Sequence, residues 1–335
     1  MDFIRSRVFA RAGLIGNPSD GYNGKTITVI VKNFWAQVIL YEWDRLEIVP
    51  GSSDESYFQS IHDLAKDVQL HGYYGGIRLV KAAINGFVTY CNERKLLLPN
   101  RNFSLRYQTT IPRQVGMAGS SAIVVATLRA LKNFYDIDIP KWVLPSLVLS
   151  IERDQLGIPA GLQDRVAQVY EGCVYMNFAK ETMRTEDGFV CGEYESLPVS
   201  LLPPLYVAYA ADCSEPTEVF HNNLRFRYDQ GEPAVHSAMQ QCAELTLRAK
   251  DALLTGQKEL LSDLLNANFD VRRTICQLPK DQLVMVETAR SCGASANFAG
   301  SGGAIVGTYP DEATFVRLKE AMQAIGCETI KPILE

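Results

Sequence analysis

The chain has 335 residues and a net charge of −5, with 47% hydrophobic and 21% charged residues. These proportions are typical of an ordinary globular protein that can build one large domain or two modest ones. The acidic balance and the lack of a long Lys/Arg run argue against a nucleic-acid partner, although a local arginine cluster could still bind a small anion.

The cysteines and apolar segments point to a cytoplasmic protein. The eight cysteines are scattered and form no Cys-x-x-Cys pair, so neither a zinc site nor a redox motif is indicated. The start of the chain lacks a secretory pattern, and we therefore expect reduced thiols in the cytosol. The longest apolar stretches are too short to span a bilayer, so no membrane partner is expected. The sequence leaves the oligomeric state open.

Strand-like and helix-like patterns follow one another without strict alternation. Short β-branched or alternating segments predict strands at residues 7–11, 26–32, 36–41, 46–49, 103–109, 205–210 and 303–308, with 36–41 and 46–49 antiparallel. Helical periods predict helices at 76–94, 119–135, 144–156, 235–254, 258–273, 282–292 and 313–325, and a helix end followed by a strand at 167–178. Residues 51–56 read as a polar loop, and Gly157 and Pro159 should end the helix before them.

This mixture favours an α+β fold over a doubly wound parallel sheet. The paired prolines Pro203 and Pro204 mark the best boundary, because paired prolines commonly end one element and begin another. We therefore predict an N-terminal domain over residues 1–200 and a C-terminal domain over 201–335.

The most informative segment runs from Ile111 to Ala130, where a glycine-rich turn leads into a helix. Glycine lets the backbone approach a ligand closely, and the start of a helix attracts anions through its unpaired N–H groups and its dipole. Ser120 and Ser121 could reach a phosphate or a phosphate-bound metal. Taken alone, the segment favours an ordinary helix cap over a phosphate site.

Three further segments change that balance. Residues 152–165 place Glu152 and Asp164 on either side of a Gly/Pro turn, so that one carboxylate could hold a metal while the other faces a hydroxyl. Residues 298–307 form a glycine-rich bend before an apolar strand, and residues 11–20 carry another glycine-bearing loop.

The four segments, in this order, resemble the small-molecule kinases of the GHMP superfamily, and within it the glucuronokinases. The resemblance spans almost the whole chain, and its other motifs are Gly-Asn-Pro-Ser-Asp (16–20), Asn-Phe-Trp-Ala (33–36), Gly-Tyr-Tyr-Gly-Gly (72–76), Arg-Asn-Phe-Ser-Leu (101–105), the segment 161–170, and Ser-Leu-Leu-Pro-Pro-Leu (200–205). It implies an N-terminal domain like the second domain of ribosomal protein S5 and a ferredoxin-like C-terminal domain.

The resemblance implies ATP and Mg²⁺ as cofactors. The ATP phosphates would be bound by Gly116, Met117, Ala118, Gly119, Ser120, Ser121 and Ala122, together with the turn Gly300, Ser301 and Gly302. Aligning the family's Ser-Ser-Ala makes Ser121 the metal-binding hydroxyl, with Ser120 as a second candidate and Glu152 as the acidic ligand. This chain departs from the pattern by having Met117 for leucine and one extra residue between Gly116 and the serines.

The resemblance also assigns the chemistry. Asp164 matches the aspartate that takes the proton from the attacking hydroxyl, although an Asp at this position also suits a helix cap. Arg11 matches a basic residue that lies beside the base in family members. Asn17 and Asp20 belong to the loop that grips substrate hydroxyls. Galactokinases carry Glu-His where this chain has Asn17-Pro18, so galactose is not the expected substrate.

The expected activity is ATP-dependent phosphorylation of the anomeric hydroxyl of D-glucuronate. Arg113 and Arg165 are candidates for reading the carboxylate, because a planar guanidinium donates two parallel hydrogen bonds to it; Arg272 and Arg273 also lie in the C-terminal part. Two alternatives stay open. One is a kinase for arabinose, galactose, fucose or a heptose; the other is a galactokinase-like sensor that binds ATP and sugar without catalysis.

Overall fold

A computed structural model describes residues 3–49, 75–158, 160–186, 188–211 and 219–335. The strands are β1 (Ile4–Ile15), β2 (Lys25–Trp43), β3 (Glu47–Val49), β4 (Asn102–Thr109), β5 (Cys173–Asn177), β6 (Arg184–Glu186), β7 (Phe189–Cys191), β8 (Glu193–Leu197), β9 (Leu205–Ala210), β10 (Asn297–Phe298), β11 (Ala304–Thr308) and β12 (Cys327–Ile330). The α-helices are α1 (Gly76–Glu93), α2 (Gly119–Tyr135), α3 (Leu144–Ser150), α4 (Leu162–Tyr170), α5 (Val219–Asp229), α6 (Pro233–Leu254), α7 (Leu260–Ile275), α8 (Lys280–Ser291) and α9 (Glu312–Ala324). The predicted loop at 51–56 and most of the 72–76 motif lie outside the described residues.

The chain forms two compact units. The first contains Met1–Ala10, Phe34–Pro112 and Ala118–Val169, and the second contains Arg11–Asn33, Arg113–Met117 and Tyr170–Glu335. Strand β2 therefore contributes its C-terminal half to the first unit and its N-terminal half to the second. The predicted domain boundary at residue 200 stays a prediction.

In the first unit, strand β4 lies between β3 and the C-terminal half of β2. The chain reverses direction after β2, so β3 runs opposite to β2 and, since β4 is antiparallel to β2, parallel to β4. Glu47 accordingly pairs with Ser104 in a parallel register. The predicted strands at 36–41 and 46–49 do run in opposite directions, but β4 lies between them, so β3 pairs with β4 in parallel and not with β2. Helices α1 and α2 pack against each other, and α2 is largely buried because most of its residues are apolar.

In the second unit, the N-terminal half of β2 pairs with β5, and β5 pairs with β8. A separate four-stranded antiparallel sheet has the order β10-β11-β9-β12. Helices α7, α8 and α9 contribute to an apolar core against this sheet, and its members include Tyr206, Phe269, Met285, Phe298 and Leu318.

Two predicted elements differ from the structure for identifiable reasons. The predicted strands at 26–32 and 36–41 are one strand of 19 residues, because Asn33–Trp35 contains no glycine or proline to interrupt it. The predicted helix 144–156 is α-helical only to Ser150. It continues as one π-type turn over Ile151–Gln155 and ends before Gly157, which has a φ of +66°. Such turns inside helices are frequent at functional sites. Pro159 lies outside the described residues.

Candidate active site

The backbone before α2 has an unusual conformation. Gln114, Gly116 and Ala118 have φ values of +58°, +66° and +62°, while the residues between them do not have positive φ. Alternation of this kind turns successive N–H groups toward one side and makes an anion-binding concavity. Helix α2 then starts at Gly119, as predicted, and its N-cap residue Ala118 supplies no side-chain cap. The loop therefore presents backbone donors of the kind that bind phosphate.

The two serines at the start of α2 have different surroundings. Ser120 is half-buried, and its hydroxyl donates to Glu152 Oε1 at 3.2 Å. Ser121 is fully buried, and its hydroxyl donates to the carbonyl of Ala118 at 3.2 Å. The structure thus brings Glu152 together with Ser120, the second candidate, and not with Ser121, the first. Ser121 faces its own helix turn because adjacent helical residues point about 100° apart.

Glu152 lies in the π-type turn and is fully buried. Its second oxygen, Oε2, accepts from Arg165 Nε at 2.6 Å and also pairs with Arg165 Nη2. Burial raises the pKa of Glu152, while the Arg165 guanidinium and the Ser120 hydroxyl act to lower it. A buried carboxylate of this kind depends on its charged partner, because an unpaired buried charge is strongly unfavourable.

Asp164 and Arg165 lie in the first turn of α4. Asp164 is partly exposed, with 21% of its side chain accessible, whereas Arg165 is buried. Arg165 Nη1 donates to Asp164 Oδ2 at 3.4 Å and to the carbonyl of Gly161 at 2.9 Å. Arg165 therefore contacts both acidic residues. This geometry favours a positioning role for Arg165 over the predicted contact with a substrate carboxylate, because Glu152 already takes one side of its guanidinium.

Gln168 is a site residue that sequence reasoning missed. It lies four residues after Asp164 on α4, is fully buried, and donates from Nε2 to the carbonyl of Ala118 at 2.8 Å. Residues four apart share a helix face. That spacing was the signal that could have placed Gln168 with Asp164. The contact connects the helix that carries Asp164 to the N-cap residue of α2.

In the second unit, Arg11 connects two glycine-bearing loops. Its side chain is buried, and Nη1 donates to the carbonyl of Gly116 at 2.5 Å and to that of Ala299 at 2.8 Å. A Cβ on Gly116 would come within 2.7 Å of the Gly302 carbonyl, and a Cβ on Gly300 would overlap the Gly116 carbonyl. The absence of side chains therefore permits this close approach. The contacts of Arg11 are those of a residue that positions the loops.

The predicted substrate loop is built into the second unit. Asn17 is buried, and its carbonyl accepts from Asn268 Nδ2 at 2.9 Å, while Asn268 Oδ1 accepts from the backbone N–H of Gly16 at 2.8 Å. Asp20 is half-buried in the short 3₁₀ helix Ser19–Tyr22, and Arg113 is exposed. Asn268 was not singled out from the sequence, since a lone asparagine in a helix carries no specific signal.

The Ser120–Glu152 pair has the donor chemistry for Mg²⁺. Mg²⁺ prefers oxygen ligands at about 2.1 Å in an octahedron, which places neighbouring ligands about 3 Å apart. The 3.2 Å between Ser120 Oγ and Glu152 Oε1 is close to that separation. Two protein oxygens suffice, because Mg²⁺ usually keeps waters and substrate phosphates as its other ligands. Among the described residues, no cluster of three or more His, Cys, Asp or Glu side chains could hold a metal.

Comparison with known proteins identifies the family. Residues 78–172 match the family described as the GHMP kinases N terminal domain. The chain is 43% identical over 337 residues to glucuronokinase 1 of Arabidopsis thaliana, covering 98% of this chain and 91% of that protein. It is 44% identical over 322 residues to probable glucuronokinase 2 of the same plant, covering 94% and 86%. The chain belongs to the GHMP kinases.

The fold agrees with this assignment. The GHMP kinase mevalonate kinase from Methanococcus jannaschii has a crystal structure that matches this chain with a TM-score of 0.72 at 16% identity, covering 99% of this chain and 98% of that one. At that identity the match speaks for the fold alone. The predicted α+β GHMP kinase fold and the predicted family are confirmed. Kinases of this family use ATP. In the described part of the chain, no helix has the length and apolar character needed to cross a membrane.

Proposed function

We propose that this GHMP kinase transfers the γ-phosphoryl group of ATP to the anomeric hydroxyl of D-glucuronate, giving glucuronate 1-phosphate and ADP. The observation that carries this function is the identity of 43% with a glucuronokinase along 98% of the chain. The arrangement of Ser120, Glu152, Asp164 and Arg165 supports a phosphotransferase rather than a sensor that has lost catalysis. We place the reaction in the cytoplasm.

The loop before α2 is proposed to bind the ATP phosphates. Phosphoryl transfer requires mainly positioning and neutralisation of charge, which backbone N–H groups and a metal ion can supply. Residues 116–122 offer the N–H groups. Gln168 fixes this loop through the Ala118 carbonyl, and Arg11 fixes it through the Gly116 carbonyl. Gly300, Ser301 and Gly302 support the loop from the turn that packs on Gly116.

Mg²⁺ is proposed to bind Ser120 and Glu152. When bound, the ion would neutralise charge on the phosphates. Arg165 fixes the orientation of Glu152 by holding Oε2, which directs Oε1 toward Ser120. Ser121 is then proposed to stabilise the start of α2, because its hydroxyl and Gln168 Nε2 both donate to the Ala118 carbonyl.

Asp164 is proposed to be the general base. The anomeric hydroxyl loses its proton as its oxygen attacks phosphorus, and the Asp164 carboxylate accepts that proton. The partial exposure of Asp164 leaves its carboxylate accessible to a sugar hydroxyl. Arg165 contacts Oδ2 and limits the orientations that Asp164 can adopt. Asn17 and Asp20 are proposed to contact sugar hydroxyls, and the exposed Arg113 is proposed to contact anionic groups of ATP or sugar.

A substrate panel tests this function. Purified protein is incubated with ATP, Mg²⁺ and one sugar at a time, and ADP release is followed with glucuronate, galacturonate, glucose, galactose, arabinose, fucose and a heptose. The proposal expects glucuronate to give the highest kcat/KM. If a neutral sugar gives a higher kcat/KM, that sugar becomes the proposed substrate. If the protein binds ATP but phosphorylates no sugar, the result favours a sensor without catalysis.

A further inference from the structure

A small pocket in the second unit has a buried arginine in its wall. The pocket lies beside the predicted substrate loop, and its apolar wall includes Leu224, Leu278 and Pro279. Its remaining lining residues are Pro18, Arg272, Cys276, Gln282 and Ser301. The pocket has a volume of about 10 Å³, which is room for about one water-sized group such as a single carboxylate oxygen, so only the end of a ligand could enter it.

Arg272, near the C-terminal end of α7, is held rigidly. Its Nη1 donates to the carbonyl of Gly300 at 2.8 Å and its Nη2 to that of Ser301 at 3.3 Å, and its guanidinium lies 4.9 Å from the centre of the Phe298 ring. Only 4% of the residue is exposed. Among the described residues, nothing accepts a hydrogen bond from its Nε. A buried donor without an acceptor is rare and costly, which makes this one a candidate for a ligand contact.

The charges around Arg272 favour an anionic ligand. Burial lowers the pKa of the guanidinium, whereas the neighbouring cysteines and Asp20 act to raise it. Burial also raises the pKa of the Cys276 thiol, whereas the charge of Arg272 and a hydrogen bond with it act to lower that pKa. Asp20 is the carboxylate among the groups that act on Arg272, and it belongs to the loop proposed to bind sugar hydroxyls. A carboxylate oxygen that accepts from Nε would form a charge-assisted hydrogen bond with the buried guanidinium.

We propose that this pocket binds the carboxylate of the sugar-acid substrate, with Arg272 Nε as the donor that distinguishes a uronate from a neutral sugar. The inference rests on the proposed function and names the residue that sets its specificity. Pro18 directly follows Asn17 in the substrate loop, so the pocket lies next to a segment already proposed to contact the sugar. Because both Nη groups are anchored to backbone carbonyls, Nε is oriented before the ligand arrives, and little entropy is lost on binding.

Two substitutions with matched controls test the inference. Gln282→Glu introduces a negative charge into the pocket and leaves the anchors of Arg272 in place, while Gln282→Met has similar length without the charge. Arg272→Gln removes the donor itself. Arg273→Gln is its control, because Arg273 is more than half exposed and pairs with Glu287. The readouts are kcat and KM for glucuronate and for glucose, with KM for ATP.

The inference predicts that Gln282→Glu and Arg272→Gln raise KM for glucuronate by roughly 10- to 100-fold, as expected for loss of a charge-assisted contact. The glucuronate-to-glucose ratio of kcat/KM should fall by a similar factor. Gln282→Met should change that ratio far less, and Arg273→Gln should leave it unchanged. The inference is overturned if Gln282→Glu leaves the glucuronate-to-glucose ratio of kcat/KM unchanged, or if kcat/KM falls equally for both sugars. Arg272 would then only hold the glycine turn. If the unmodified enzyme does not phosphorylate glucuronate, the proposed function itself is contradicted.

Discussion

At the scale of single residues, the buried Arg165 contacts both acidic residues of the site. Its guanidinium contacts Glu152 on one side and Asp164 on the other. Glu152 is fully buried, so its charge depends on Arg165 for compensation. Arg165 thus contributes both to the stability of the fold and to the orientation of the site.

Removal of this partner should destabilise the first unit. Arg165→Met leaves a buried carboxylate unpaired, and we expect a loss of about 3–5 kcal/mol in the free energy of unfolding. The double variant Glu152→Gln/Arg165→Met should recover part of that loss, because no uncompensated charge remains. Urea denaturation measures both values. Equal stability of the single and double variants would show that the pair is not coupled.

Asp164→Asn should lower kcat strongly without loss of the fold. The amide cannot accept the proton of the attacking hydroxyl, and removal of a general base typically costs about 10²- to 10⁴-fold in rate. Nucleotide binding, measured by titration calorimetry, should be retained. Asp154→Asn is the control, because Asp154 is exposed on the π-type turn. A folded Asp164→Asn variant with near-normal kcat would exclude Asp164 as the base.

Substitution of the two serines should have different effects on the Mg²⁺ concentration that activity requires. Ser120→Ala removes the hydroxyl beside Glu152, so half-maximal activity should require several-fold more Mg²⁺. Ser121→Ala removes only the bond to the Ala118 carbonyl and should leave the Mg²⁺ requirement close to that of the unmodified protein. The comparison uses initial rates across a Mg²⁺ titration. A larger shift for Ser121→Ala would restore the assignment made from the sequence.

The sequence predicted the acidic residues but not which serine meets them. Ser120 and Ser121 have the same chemistry, and the choice between them depends on the rotation of α2 relative to the π-type turn. That rotation is set by packing of the apolar faces of these helices, which no local pattern specifies. The contact between Arg165 and Glu152 was missed for the same reason, since it joins residues of two different elements.

At the scale of elements, the loop before α2 depends on close packing of glycines in the second unit. Gly116→Ala should raise KM for ATP, because the new Cβ would lie within 2.7 Å of the Gly302 carbonyl and force the loop or the turn to move. Gly172→Ala is a matched control. Gly172 also has a positive φ, +69°, but nothing lies within 4 Å of its Cβ position. Both variants carry similar backbone strain, so only the clash differs.

A steady-state comparison of the two variants checks this expectation. Similar KM values for ATP in both would mean that backbone strain, and not the contact between the two turns, governs nucleotide binding. The loop itself could be recognised from the sequence because glycines and serines before a helix form a local pattern. The parallel pairing of β3 could not be recognised from the sequence, because the pairing type depends on which neighbouring strand it joins.

At the scale of the whole molecule, a chain with a net charge of −5 is proposed to bind an anionic nucleotide and an anionic sugar. Positively charged side chains close to the ligands make this possible, because charges more than about 10 Å away are largely screened at physiological ionic strength. Each unit contains buried arginines, Arg165 in the first and Arg11 and Arg272 in the second. The α+β class followed from the order of elements, whereas the substrate followed only from resemblance to a family.

The most direct test of the account is the structure of the product. The unmodified enzyme, with ATP, Mg²⁺ and glucuronate, should give one sugar phosphate whose phosphorus couples to the anomeric proton in a ³¹P–¹H NMR spectrum. The same reaction with Asp164→Asn should form this product about 10²- to 10⁴-fold more slowly. A phosphate on any other carbon, or ADP formed without a glucuronate phosphate, would contradict the proposed function.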